Sequence, residues 1–138
     1  MCDDTGLPVN VVVSAGQRHE SLFFEQVMDG VAIPRPGAPP RKRPRWVVGD
    51  KGYECPRIRV WVRRRHLKAT IPEKRRRARR GRPCAFDREA YRRRNVIEEC
   101  VGRLKENRRI ATRYEKLALN FLSMIIIAMI LQYLKTYS

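Results

Sequence analysis

Apolar residues fall along this chain in short groups separated by basic or proline-rich stretches, and each group has a readable period. Leu7 to Val13 is rich in Val and ends at Ser14-Ala15-Gly16. It is predicted as a buried strand that leaves a turn at Asp3-Asp4-Thr5-Gly6, where the two acids have ordinary turn roles. From Ser21 to Val31, Leu22, Phe23, Gln26, Val27 and Val31 recur at helical spacing, and Gly30 predicts the stop. Trp46 to Val48 reads as a short central strand ending in Gly49-Asp50. Cys55-Pro56 to Val62 predicts a short helix, and Leu67 to Pro72 a further strand stopped by proline. From about Asp87 the pattern is helical, with a break near Asn107 to Thr112. Val96, Ile97, Cys100, Val101 and Leu104 form the apolar side of one amphipathic helix. Leu117 to Leu134 approaches the ~18 apolar residues of a membrane span. Asn120, Ser123 and Gln132 interrupt it, and the charged Arg113-Tyr114-Glu115-Lys116 runs into it in helical phase, so a buried helix is predicted and no membrane partner. The order strand, helix, strand, strand, helix is that of an α/β layer fold.

Composition adds a partner to this outline. The chain has 138 residues, one domain at most, with 31 Lys and Arg against 14 Asp and Glu and a formal charge of +17. Such an excess favours a polyanion; an anionic membrane surface or a ribosome-like role shares the same composition. Two predicted loops carry much of the charge, the proline-rich basic connection 34–44 and the run 74–82. The second packs Lys74, Arg75, Arg76, Arg77, Arg79, Arg80 and Arg82 into nine residues, more than solubility needs, and points to nucleic-acid phosphates. Cys2, Cys55, Cys84 and Cys100 are scattered with no CxxC pair, which argues for reduced thiols and against zinc.

The candidate chemistry lies in one basic segment. Tyr91, Arg94, Glu98 and Lys105 follow the spacing Y-(2)-R-(3)-E-(6)-K. On one continuous helix, Arg94, Glu98 and Lys105 would fall within roughly 60° of one another, with Tyr91 close by. One acid held among cations, in so basic a chain, points to a phosphodiester substrate. Taken singly, Asp50 before Lys51-Gly52 reads as a turn residue and Glu98 as an i,i+4 partner of Arg94. Trp46 and Trp61 suggest a stacking platform, but their positions favour packing or a half-buried interface.

The spacing resembles that of bacterial insertion-sequence transposases of the DDE type. Two further stretches agree. Arg45-Trp46-Val47-Val48-Gly49-Asp50-Lys51-Gly52-Tyr53 is similar to the strand and turn that present their second catalytic Asp. Asn95-Val96-Ile97-Glu98, with Arg108 to Ala118, is similar to the helix of the catalytic Glu and the segment after it.

The resemblance implies a ribonuclease-H-like fold lacking its first strand or strands, with long C-terminal helices, all of residues 1–138 being the C-terminal part of one catalytic domain. It implies Asp50 and Glu98 as catalytic residues and ligands of a two-ion Mg²⁺ site that is incomplete without the family's first Asp. Tyr91, Arg94 and Lys105, with Arg75, Arg76, Arg77, Arg79 and Arg80, would contact DNA. The implied activity is Mg²⁺-dependent hydrolysis and strand transfer at element ends, in the bacterial cytoplasm and nucleoid. The isolated chain is expected to be inactive, with an upstream transposase polypeptide or a second copy as partner. A basic DNA-binding fragment without catalysis is the alternative.

Overall fold

The structure, a computed structural model, describes residues 1–73 and 86–138. Two compact units divide the chain, one of residues 19–94 and one of residues 1–18 with 95–138.

In the unit of residues 19–94, one 3₁₀ turn at Glu20–Phe23 leads into α1 (Phe24–Asp29). His19 Nδ1 accepts from Ser21 N at 3.2 Å at its start, and Gly30 closes the helix as its spacing predicted. The stretch 34–44, predicted as a connection, is instead largely an antiparallel hairpin, β1 (Ile33–Arg35) with β2 (Ala38–Arg41). Gly37 takes the left-handed backbone (φ +66°) that the turn after Pro36 requires. Prolines remove ladder donors here, and the Arg35 guanidinium supplies replacements, donating to Pro39 O at 2.9 and 3.1 Å.

The next elements form a β-α-β unit. β3 (Trp46–Val48) and β4 (Lys68–Thr70) pair in parallel, Trp46 opposite Lys68 and Val48 opposite Thr70. Between them runs α2 (Pro56–Arg64), with Pro56 in its first turn, where the missing N–H costs nothing. Ile58, Trp61 and Val62 share its buried face, and Phe24 packs edge-on to Trp61 at 5.3 Å between ring centres. Met28, Val31 and Ile71 complete this core. Strand β3 is less central than predicted: among the described residues it has a single partner strand, and Trp46 and Val48 are exposed. A short α3 (Arg88–Arg92) is capped by Asp87, whose Oδ1 accepts from Ala90 N at 2.9 Å.

The other unit joins the N-terminal residues to α4 (Asn95–Lys105), α5 (Arg108–Ala111) and α6 (Ala118–Tyr137). Asp3 has the predicted turn role: its Oδ1 accepts from Thr5 N, Thr5 Oγ1 and Leu7 N at 2.8–3.0 Å. Leu7 to Val13, however, is not a strand. Residues next to it in sequence take up its backbone groups, through an isolated Cys2–Pro8 bridge and a Val9 N to Met1 O bond of 2.9 Å. No neighbouring strand lies along it among the described residues. Arg103 donates to Gly6 O at 2.6 Å and Tyr133 to Pro8 O at 3.0 Å, so the turn is held by α4 and α6.

The buried C-terminal helix expected from the sequence is also corrected. Ile125 and Ala128 of α6 are buried, but Leu119, Ile126, Ile127, Ile130, Leu131 and Leu134 are exposed. A helix apolar on all sides needs cover on all sides, and within this unit only one stripe of α6 receives it. The helix is long and apolar enough to cross a membrane by length and composition.

Candidate functional site

Asp50 stands just past the end of β3, and two bonds set its position. Gly49 N donates to Thr70 O at 3.1 Å, continuing the β3–β4 ladder by one residue. Asp50 Oδ1 then accepts from Gly52 N at 2.7 Å and caps the 3₁₀ turn Lys51–Tyr53. A side chain at 52 would bring its Cβ to 2.9 Å from that oxygen, so glycine is what allows the approach. Tyr53 follows, its ring 6.0 Å from Phe24 and its hydroxyl donating to Glu20 at 3.4 Å. Asp50 is therefore a fixed, half-buried carboxylate with one oxygen engaged in the cap.

The four residues of the basic segment do not lie on one helix. α3 ends at Arg92, Arg93 and Arg94 make a turn, and α4 begins at Asn95. The turn tightens because Arg94 N donates to Tyr91 O, an i to i−3 bond of 3.0 Å. Tyr91 and Arg94 stay together, the guanidinium 5.6 Å from the ring centre, with Phe86 on the ring at 5.2 Å. Glu98 and Lys105 are exposed on α4, seven residues and so about two turns apart on one face. Cys100 turns the opposite way and is buried. Asp50, Tyr91 and Arg94 belong to one unit, Glu98 and Lys105 to the other. Arg75, Arg76, Arg77, Arg79 and Arg80 lie outside the described residues.

A divalent cation needs several hard oxygen donors in one place. Among the described residues no group of three or more Asp, Glu, His or Cys could hold one. The two-ion site implied by the resemblance therefore does not fit the described residues alone.

One feature escaped the sequence reading. Arg41, Arg43, Arg45, Trp46, His66 and Lys68 line an open cleft of about 550 Å³. The signal was present in Arg41-Lys42-Arg43-Pro44-Arg45-Trp46, a basic run interleaved with an aromatic. Packing or a half-buried interface was expected of both tryptophans; Trp61 lies in the core, whereas Trp46 is 40% exposed, its indole Nε1 donating to Thr70 Oγ1 at 3.0 Å.

Burial moves several protons. The Tyr53 hydroxyl is pushed up to about 12, by desolvation first and then by the Glu20 and Asp50 carboxylates. Burial likewise pushes the Cys2 thiol to about 11 and the Cys100 thiol up, so both stay protonated at neutral pH. Comparison with curated proteins and with solved structures returns no match. Against protein families, residues 1–133 match the Transposase DDE domain.

Proposed function

Because the chain belongs to the DDE transposase family, we propose that it acts in DNA transposition, cutting phosphodiesters at the ends of an insertion sequence and joining them to a target. The match over residues 1–133 is the observation that carries this reading. In the proposal the β3-α2-β4 unit is part of a ribonuclease-H-like domain, and Asp50 and Glu98 are its second and third catalytic carboxylates. Lys105, on the same face as Glu98, and the Tyr91–Arg94 pair contact DNA phosphates, as does the 75–80 arginine run. The +17 charge supports a polyanionic substrate.

Mg²⁺ belongs to the proposal at the level of the assembled enzyme. Since no acidic trio is gathered among the described residues, the ligand set is completed from outside them, by an upstream transposase polypeptide or a second copy. The test is excision of a marked element carrying this gene in its native flanks. Asp50→Asn and Glu98→Gln should each lower excision by more than about a hundredfold at unchanged protein level. Full excision with both substitutions would overturn the reading.

The absence of a metal-holding group among the described residues favours one second reading, a basic DNA-binding chain without catalysis. In that case both variants would leave excision unchanged while the chain still bound DNA with strong salt dependence.

A further inference from the structure

The basic cleft beside Trp46 lies where β3 and β4 begin, at the opposite end of the parallel pair from Asp50. Four residue steps of extended chain lead from residue 46 to residue 50, about 13 Å at the usual strand rise. The cleft is thus a feature of its own and not the surroundings of that carboxylate.

Its cations differ from three other arginines of the same unit. Arg57 pairs with Glu25 at 2.7 Å, Arg59 with Glu54 at 2.6 Å and Arg65 with Asp29 at 3.1 Å. Arg65 also stacks on Trp61 at 4.0 Å. Those side chains are spent on internal contacts. Among the described residues, by contrast, Arg41, Arg43, Arg45 and Lys68 pair with no carboxylate, and no acid lines the cleft.

Two of them are nevertheless held in place. Arg43 Nη2 donates to His66 O at 2.8 Å, and Arg41 Nε donates to Arg43 O at 3.1 Å. That His66 carbonyl is presented by an uncommon backbone. His66 sits in the left-handed region (φ +51°) after α2, where His66 N bonds Arg63 O and Leu67 N bonds Val62 O, both at 3.0 Å. Glycine is the usual occupant of such a helix end, so a histidine there puts a ring and a carbonyl at the rim at some cost in strain. Trp46 also lines the cleft; the residue is 40% exposed and its indole is fixed by the Thr70 bond.

Cations that pair with no carboxylate among the described residues, two of them held, lining one cleft with a half-exposed indole, match one ligand chemistry, a phosphate backbone carrying an unpaired base. In a closed duplex the base faces are stacked and cannot reach an indole. We propose that this cleft binds a single-stranded DNA segment, with one base stacked on Trp46 and the flanking phosphates on Arg41, Arg43, Arg45 and Lys68. The choice of DNA rests on the transposition reading; the geometry of the cleft does not.

The test is equilibrium binding of the full chain to an end-labelled single strand of about 20 nucleotides and to the duplex of the same sequence, at several salt concentrations. Trp46→Ala should weaken single-strand binding about tenfold and duplex binding less than about twofold, whereas Trp46→Phe keeps most of the affinity. Trp46 also holds Thr70, so exposed Arg45 provides a second readout. Arg45→Gln should flatten the single-strand salt slope by about 0.7. Equal losses on single strand and duplex, or wild-type behaviour of both Trp46→Ala and Arg45→Gln, would overturn the proposal. Binding is measured without catalysis, so the two readings fail separately. If Asp50→Asn leaves excision intact while Trp46→Ala loses single-strand affinity, transposition falls and the cleft stands. The reverse result removes the cleft alone.

Discussion

Tyr53 comes three residues after Asp50, packed on Phe24 and bonded to Glu20, and its proton is a measurable reporter of the unit. Its ordinary value near 10 is raised to about 12 by burial and then by the Glu20 and Asp50 carboxylates. Folding therefore favours the protonated ring. The stabilisation is fully present below about pH 10 and is lost as pH climbs through about 12. The melting temperature should fall over that window, and Tyr53→Phe should flatten the fall; a tyrosinate absorbance titration of both proteins checks the assignment. Equal alkaline loss in the variant would place the sensitivity elsewhere, for instance at Tyr133, whose hydroxyl burial also raises. At this scale the sequence was uneven. The turn role of Asp3 was legible because an Asp side chain can reach backbone donors only a few residues away. The different fates of Trp46 and Trp61 depend on what covers each ring.

Elements whose reach is local were mostly read correctly. The α2 helix follows from apolar spacing and Pro56, and β3 and β4 from short β-branched or apolar runs with clear stops. The hairpin at 33–41 was missed because its ladder is supplemented by the Arg35 side chain, a bond that no period announces. Of the ion pairs that tie α2 to its surroundings, that of Arg59 is the buried one. Arg59 bonds the buried Glu54 at 2.6 Å and also donates to Ile71 O at 2.8 Å. Removing Arg59 takes from the buried Glu54 carboxylate its 2.6 Å ion pair. Arg59→Leu should destabilise the unit by about 3 kcal/mol in a denaturant melt, and adding Glu54→Leu should recover much of it. A loss below about 0.5 kcal/mol for the single variant would mean that water already solvates Glu54.

For the molecule as a whole, two quantities govern behaviour in solution, the +17 charge and the exposed apolar side of α6. Charge opposes association, and a contiguous apolar strip promotes it. Salt should decide between them by screening the first and leaving the second. Light scattering of the chain should rise with salt, and the double variant Ile127→Gln, Leu131→Gln should remove most of the rise. Both side chains are about half exposed, so the fold should survive the change. Scattering unaffected by the substitutions would assign the association to another surface.

The amino-acid order by itself determined the properties that depend on neighbours in the chain. These are the polyanion-seeking charge, the β-α-β stretch from Trp46 to Thr70, the capping Asp50 and the turn at Asp3. It also carried the Y-(2)-R-(3)-E-(6)-K pattern, but not the interruption of its helix at Arg93-Arg94. Tertiary structure alone decided that Leu7 to Val13 is no strand, that one stripe of α6 is covered, and that Trp46 lines a cleft whose cations pair with no carboxylate among the described residues while Trp61 is enclosed. The reason is physical: a period says which residues share a face, and only the packed chain says whether anything lies against it.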